Sequence, residues 1–145
     1  MSGNMVGMVR SAWGRAAAYV RDRRRCAQIK RDIESLGADE GRRVLGEFRL
    51  TPKEFEESLR IPFTSEDIWS RALRFAGVDP QRFQREHGAR SREMRRICFT
   101  CPVKARCRRD LAAGTFERNH QDYCPNRQHF AVLFARKAYQ PSMRA

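Results

Sequence analysis

Lysine is scarce in this chain. Only Lys30, Lys53, Lys104 and Lys137 occur among 30 basic residues, so nearly all the positive charge is carried by arginine. Acids are too few to balance it, and 145 residues carry a formal charge of +13. Such a surface attracts phosphates, nucleic acid or anionic lipid without choosing between them. Long apolar runs are also missing, and none approaches the roughly 18 to 20 residues that span a bilayer. The opening "MSGNMVGMVRSAW" is broken by Arg10 and has no continuous secretory core. A cytoplasmic location follows as the expectation. Sustained apolar alternation is absent, which excludes a substantial sheet. No nucleophile–base pair, paired-carboxylate site or phosphate-binding glycine loop is present, and "GADEG" is too short and acidic for the last of these. No enzyme activity is expected.

The signals that remain are helical and fall into three segments, while charge runs from net +7 over residues 1–31 through −5 over 32–70 to +11 over 71–145. Residues 1–37 form a basic amphipathic segment, with Met5, Val9, Ala12, Ala16 and Val20 at three- and four-residue steps and Ile29, Ile33 and Leu36 continuing them. That stripe suits packing on the domain, a partner helix or, less readily, an anionic membrane surface, since the first 21 residues hold no acid. Residues 38–62 are acidic and read as a helical hairpin, its second helix opened by a capping box of Thr51, Pro52 and Glu54. Glu54, Glu56 and Glu57 on that helix argue against a DNA-reading helix-turn-helix and for a protein partner. Residues 63–145 read as several short helices, punctuated at Gly77, Asp79-Pro80, Gly88 and Gly114, with Thr64 or Ser65 capping the first. Trp69, Phe75, Phe83, Met94, Ile97, Leu111 and Phe130 are the expected core. The fold class is all-α, a small bundle of short helices with a C-terminal four-cysteine, metal-centred module.

The cysteines carry the chemistry. "CFTCPVKARC" sets Cys98, Cys101 and Cys107 at the spacing C-x2-C-x5-C, and Cys124 follows in "DYCPN". In a reducing compartment such thiols favour a metal over disulfides. Cys101 and Cys124 each precede a proline, which places both at expected helix N-caps, where free N–H groups stabilise thiolate. Four thiolates around one Zn²⁺ or one [4Fe–4S]²⁺ core leave a charge of about −2. Arg96, Arg106, Arg108, Arg109 and Arg127 stand near enough in sequence to offset it. Cys26 reads as a buried or free thiol. His120 is a weak substitute for Cys124 and otherwise a surface residue. His87 and His129 read as surface or partly buried.

The segment C-x2-C-P-x4-C resembles the cluster loop of WhiB-like regulators, in which three of four [4Fe–4S] ligands are so spaced, and that of iron–sulfur DNA glycosylases. In both families the remaining cysteine lies upstream. Here Cys124, downstream, takes its place, and the WhiB-like glycine–tryptophan turn after the third cysteine is absent. A longer stretch, residues 91 to 133, is similar to a bacterial domain-of-unknown-function family that joins R-x-C-x2-C-x5-C-x3-LA-x-G to a downstream aromatic-CPN. That resemblance implies that the four cysteines act together.

These readings point to a [4Fe–4S] protein that regulates in response to redox state or oxygen and touches nucleic acid or an acidic protein. The flexible-looking "GTFERNHQD" beside the cluster would give solvent access. The alternatives are a zinc-stapled adaptor and an electron-transfer accessory subunit. With all four ligands drawn from the protein, no substrate chemistry at the metal is expected.

Overall fold

The computed structural model describes residues 2–139, with side chains placed from residue 5. Among the described residues every regular element is helical. The N-terminal segment is one helix, α1 (Ser2–Ser35), followed by α2 (Ala38–Glu47) and α3 (Pro52–Leu59). The C-terminal part holds α4 (Ile68–Phe75), α5 (Pro80–Glu86), α6 (Gly88–Thr100), α7 (Lys104–Ala113), the single-turn α8 (Phe116–Asn119), a 3-10 turn at His120–Asp122, and α9 (Arg127–Tyr139).

Local chemistry explains most boundaries. Thr51 accepts the Glu54 N–H while Glu54 returns a bond to the Thr51 N–H, completing the capping box that opens α3. Asp79 caps α5 with Pro80 at its first position. Gly77 and Gly114 take positive φ after α4 and α7, a conformation that side chains resist. Two expected signals act differently. Asp67, not Thr64 or Ser65, caps α4 by accepting the Ser70 N–H. The Thr64 hydroxyl is committed to the Ser58 and Ile61 carbonyls, and Ser65 binds Asp22. Gly88 opens α6 instead of ending α5, because the chain breaks at His87 (φ −134°, ψ 55°).

Buried apolar residues fall into two clusters. The larger joins α4 to α9 through Trp69, Leu73, Met94, Phe116, Phe130 and Phe134. The smaller joins the C-terminal half of α1 to the hairpin through Cys26, Leu45, Leu50, Phe55 and Leu59, with Phe99 of α6 against it. Of the expected core, Trp69, Phe83, Met94 and Phe130 are buried, while Phe75 and Leu111 are partly so. Ile97 is half-buried and belongs to neither cluster.

Apolar periodicity marks the docking face of α1 only toward its C-terminal end, where Ile29 and Ile33 pack against the smaller cluster. Residues 5–17 are all exposed, Trp13 at 72%, so the Met5–Val9–Ala12–Ala16–Val20 stripe does not pack on the domain. Ala18, Asp22 and Cys26, four residues apart, are buried instead. The Asp22 carboxylate accepts the N–H groups of Phe63 (2.7 Å) and Ser65 (2.9 Å) and the Ser65 hydroxyl (2.7 Å). Arg23 pairs with Asp22 (2.7 Å) and donates to the carbonyls of Leu59 (2.8 Å) and Ile61 (2.6 Å). One acid and one arginine thus tie α1 to the turn that precedes α4.

Burial alone would raise the Asp22 pKa, but the Ser65 hydroxyl, Arg23 and the two backbone N–H groups outweigh it and hold the carboxyl below its ordinary value. A depressed folded pKa gives stability that is present above the ordinary carboxylate value, about 3.9, and is lost as pH falls through the lower folded value. Replacing Asp22 with alanine should cost about 3 kcal/mol in urea unfolding at neutral pH, as expected when one partner of a buried ion pair is removed. Asp22→Asn should also flatten the acid limb of the stability curve relative to wild type.

Candidate metal centre

The four C-terminal cysteines are delivered by three helices and two matching turns. Cys98 lies in the last turn of α6, and Cys101 ends that helix, its N–H bonded to the Cys98 carbonyl (3.2 Å). Pro102 and Val103 turn the chain into α7, which carries Cys107 on its first turn and a half. Cys124, Pro125 and Asn126 make an equivalent turn into α9. The expected N-cap positions are therefore corrected: Val103 precedes α7, and Cys124 stands three residues before α9. The backbone donors are nonetheless there. Proline has no N–H, so the next donor is two residues on, and the Cys101 and Cys124 thiols are lowered by hydrogen bonds from the N–H groups of Val103 and Asn126.

Cys101, Cys107 and Cys124 are buried, and Cys98 is half-buried against the larger cluster. Burial pushes every one of these thiols up, the Cys107 thiol to about 12 and the Cys124 thiol to about 11. The Cys98 thiol is raised further, first by burial and then by Cys124, Cys107 and Cys101. Cys107 is raised in turn by Cys124 and Cys101. The four sulfurs thus share one low-dielectric neighbourhood in which negative charge on one opposes negative charge on the next. Soft thiols in an apolar pocket are a donor set that suits a thiophilic cation or cluster, which would offset the cost of ionising them. Among the described residues, as the side chains stand, no three His, Cys, Asp or Glu are close enough together to hold a metal ion. The fit therefore lies in the chemistry and burial of the donors.

Two residues that sequence reasoning passed over support this centre. Lys104 is buried, donates to the Phe99 carbonyl and to that of Cys101 (3.0 Å), and lies over the Phe99 ring. Burial lowers its ammonium to about 8, opposed by the thiols of Cys101 and Cys98. Asn126 is fully buried and bridges α6 to the second turn, donating to the Met94 carbonyl (2.9 Å) and the Cys98 sulfur (3.2 Å). The signal for both is the repeat Cys-Pro-Val-Lys at 101–104 and Cys-Pro-Asn-Arg at 124–127.

The expected arginine shell is mostly committed elsewhere. Arg96 binds Glu54 (2.9 Å), Arg108 binds Glu66 (2.8 Å), and Arg106 stacks on Tyr123 at 4.3 Å. The cations that favour ionised thiols here are Arg127 at Cys124, Arg71 at Cys107 and Lys104 at Cys101. His120 is not at the surface. It is buried in the aromatic cluster, its Nδ1 set against the carbonyls of Phe116 (3.1 Å) and Glu117 (2.7 Å). The "GTFERNHQD" segment is likewise packed, with Phe116 fully buried and Asp110 accepting from Thr115, Asn119 and Tyr123. Cys26 belongs to the smaller cluster and donates to Asp22 (3.7 Å). His87 and His129 are half-buried.

The described residues thus form a small helical chain in which Cys101, Cys107 and Cys124 are buried and Cys98 is half-buried. Residues 69–117, about a third of the chain, match the family model described as Transcription factor WhiB. The matched segment contains Cys98, Cys101 and Cys107, and Cys124 lies beyond it. WhiB-like similarity is thereby supported, while the resemblances to DNA glycosylases and to a family of unknown function gain no support. No curated protein and no solved structure matches the chain at significance.

Asn126→Ala should lower stability by about 2 kcal/mol, since it removes two buried hydrogen bonds, to the Met94 carbonyl and to the Cys98 sulfur. Equilibrium denaturation checks this, with unchanged helical circular dichroism before the transition.

Proposed function

We propose that this chain is a [4Fe–4S]-binding regulatory protein, with Cys98, Cys101, Cys107 and Cys124 as the cluster ligands. The observation that carries the reading is the C-x2-C-x5-C set of buried and half-buried cysteines inside the segment that matches the WhiB family model, with Cys124 two residues from Asn126, whose amide bonds the Cys98 sulfur (3.2 Å). When bound, the cluster supplies a redox-active charge that the surrounding protein can sense. The chain's own residues do the rest. The two Cys-Pro turns aim backbone N–H groups at sulfur, Lys104 and Arg127 place positive charge beside it, and Asn126 fixes α6 against the second turn. Release of the cluster would leave four crowded thiols in an apolar site and loosen the helices they join, which couples cluster state to shape.

The output surface is the arginine-rich exterior. Arg10, Arg15, Arg21, Arg24, Arg25 and Arg31 are all exposed on α1. The hairpin acids are largely occupied, Glu54 by Arg96 and Glu56 facing Lys30 at 3.8 Å, so an acid-seeking partner there is less favoured than a polyanion on α1. Nucleic acid is the proposed partner, in keeping with a regulator of transcription. Among the described residues no helix is long and apolar enough to cross a membrane.

Anaerobically purified Cys→Ser variants test the ligand set. Cys124→Ser should lose most of the visible absorption and most of the bound iron, and Cys26→Ser should keep both. Retention of the full complement in Cys124→Ser would refute the assignment. Duplex DNA binding should weaken steeply with salt, and Arg24→Ala with Arg25→Ala should reduce the slope of log K against log salt by about 2, roughly one for each phosphate contact removed.

A further inference from the structure

A cavity of about 570 Å³ lies between the two hydrophobic clusters, well within the roughly 300 to 1,000 Å³ typical of small-molecule sites. Its floor is apolar, built from Ile29 and Ile33 of α1, Leu45 of α2, Leu50, Phe55 of α3 and Phe99 of α6. The opposite wall is different. It carries Trp69 of α4 with Arg92 and Arg95 of α6. Trp69 is only 4% exposed, and its indole N–H has no acceptor. A buried donor without an acceptor is costly to the fold unless something supplies one. Arg95 stacks on the Trp69 ring at 5.2 Å. Neither Arg92 nor Arg95 has a carboxylate partner among the described residues.

The acids that also line the cavity are already engaged. Glu66 is held by Arg108 (2.8 Å), Asp67 caps α4, and Glu47 faces Arg43 (3.5 Å). The charge left over at the rim is therefore positive. An extended apolar lining and two guanidinium groups without carboxylate partners together specify an anion with a hydrocarbon tail. A carboxylate head matches the planar guanidinium fork.

We propose that this cavity binds a long-chain fatty carboxylate, its tail on the Ile29, Ile33, Leu45 and Phe55 lining and its head receiving hydrogen bonds from the exposed guanidinium groups of Arg92 and Arg95. This site is distinct from the thiol centre in its chemistry, although Cys98 and Lys104 form part of the same cavity's wall. Ligand binding here needs no metal.

Calorimetric titration of the full chain with dodecanoate, kept below its micelle concentration, tests the proposal. Saturable binding of about one molecule per chain is expected. Arg92→Ala and Arg95→Ala should each weaken it about tenfold, the loss of one charge-assisted hydrogen bond. The double variant Arg24→Ala/Arg31→Ala removes the same kind of charge from the exposed face of α1 and should leave the affinity unchanged. Dodecanol and acetate, lacking the charge and the tail respectively, should each bind at least tenfold more weakly. Absence of saturation would overturn the proposal. So would equal loss in the Arg24/Arg31 variant, which would reduce the effect to general attraction by a +13 protein, or acetate binding as tightly as dodecanoate.

Discussion

Burial opposes the ionisation of a thiol, and it acts alike on Cys98, Cys101, Cys107 and Cys124, the four cysteines proposed as cluster ligands. Burial pushes all four upward, and ionised neighbouring thiols would add to the shift at Cys98, Cys107 and Cys124. The protein counters with short-range features: two backbone N–H groups freed by Cys-Pro turns, one buried lysine and one buried asparagine. These offset only part of the cost. A positively charged cluster core would offset the remaining cost of ionising the thiols in an apolar site.

The rest of the molecule braces that centre. α6 runs from the larger core into Cys98 and then turns at Cys101, with Phe99 reaching across to the smaller core. Phe99 stacks against Phe55 of the hairpin at 6.3 Å, so the cluster loop, the hairpin and α1 touch through one residue. Asp22 and Arg23 lock α1 to the same frame from the other side. A change at the thiols therefore has a short physical route to the arginine-bearing helix, through packed side chains and a single ion-paired anchor.

Much of this was legible in the sequence. Three-residue and four-residue apolar spacing without alternation marked an all-helical chain, and Thr51, Asp79-Pro80 and Gly114 marked helix ends for reasons that hold in isolation. The cysteine spacing nominated Cys98, Cys101, Cys107 and Cys124 as one ligand set. What the sequence hid depends on tertiary partners. Asp22 sits in "VRDRRR" and reads as a solvated charge, yet it is buried because the turn at 63–65 needs an acceptor for its N–H groups. His120 reads as a surface residue beside polar neighbours, yet three phenylalanines enclose it. The Met5–Val20 stripe obeys helical periodicity, but periodicity gives a face without saying whether anything covers it. Arginine proximity in sequence likewise failed to predict which cations reach the sulfurs, since Glu54 and Glu66 draw Arg96 and Arg108 away.

The most direct test of the central claim is metal and sulfide analysis of the wild-type chain purified without oxygen. The account predicts a brown protein with about four irons and about four inorganic sulfides per chain and little zinc, as a single [4Fe–4S] centre on four thiolates requires. A colourless protein holding about one zinc, with no iron or sulfide, would contradict it and would make the four cysteines a structural staple.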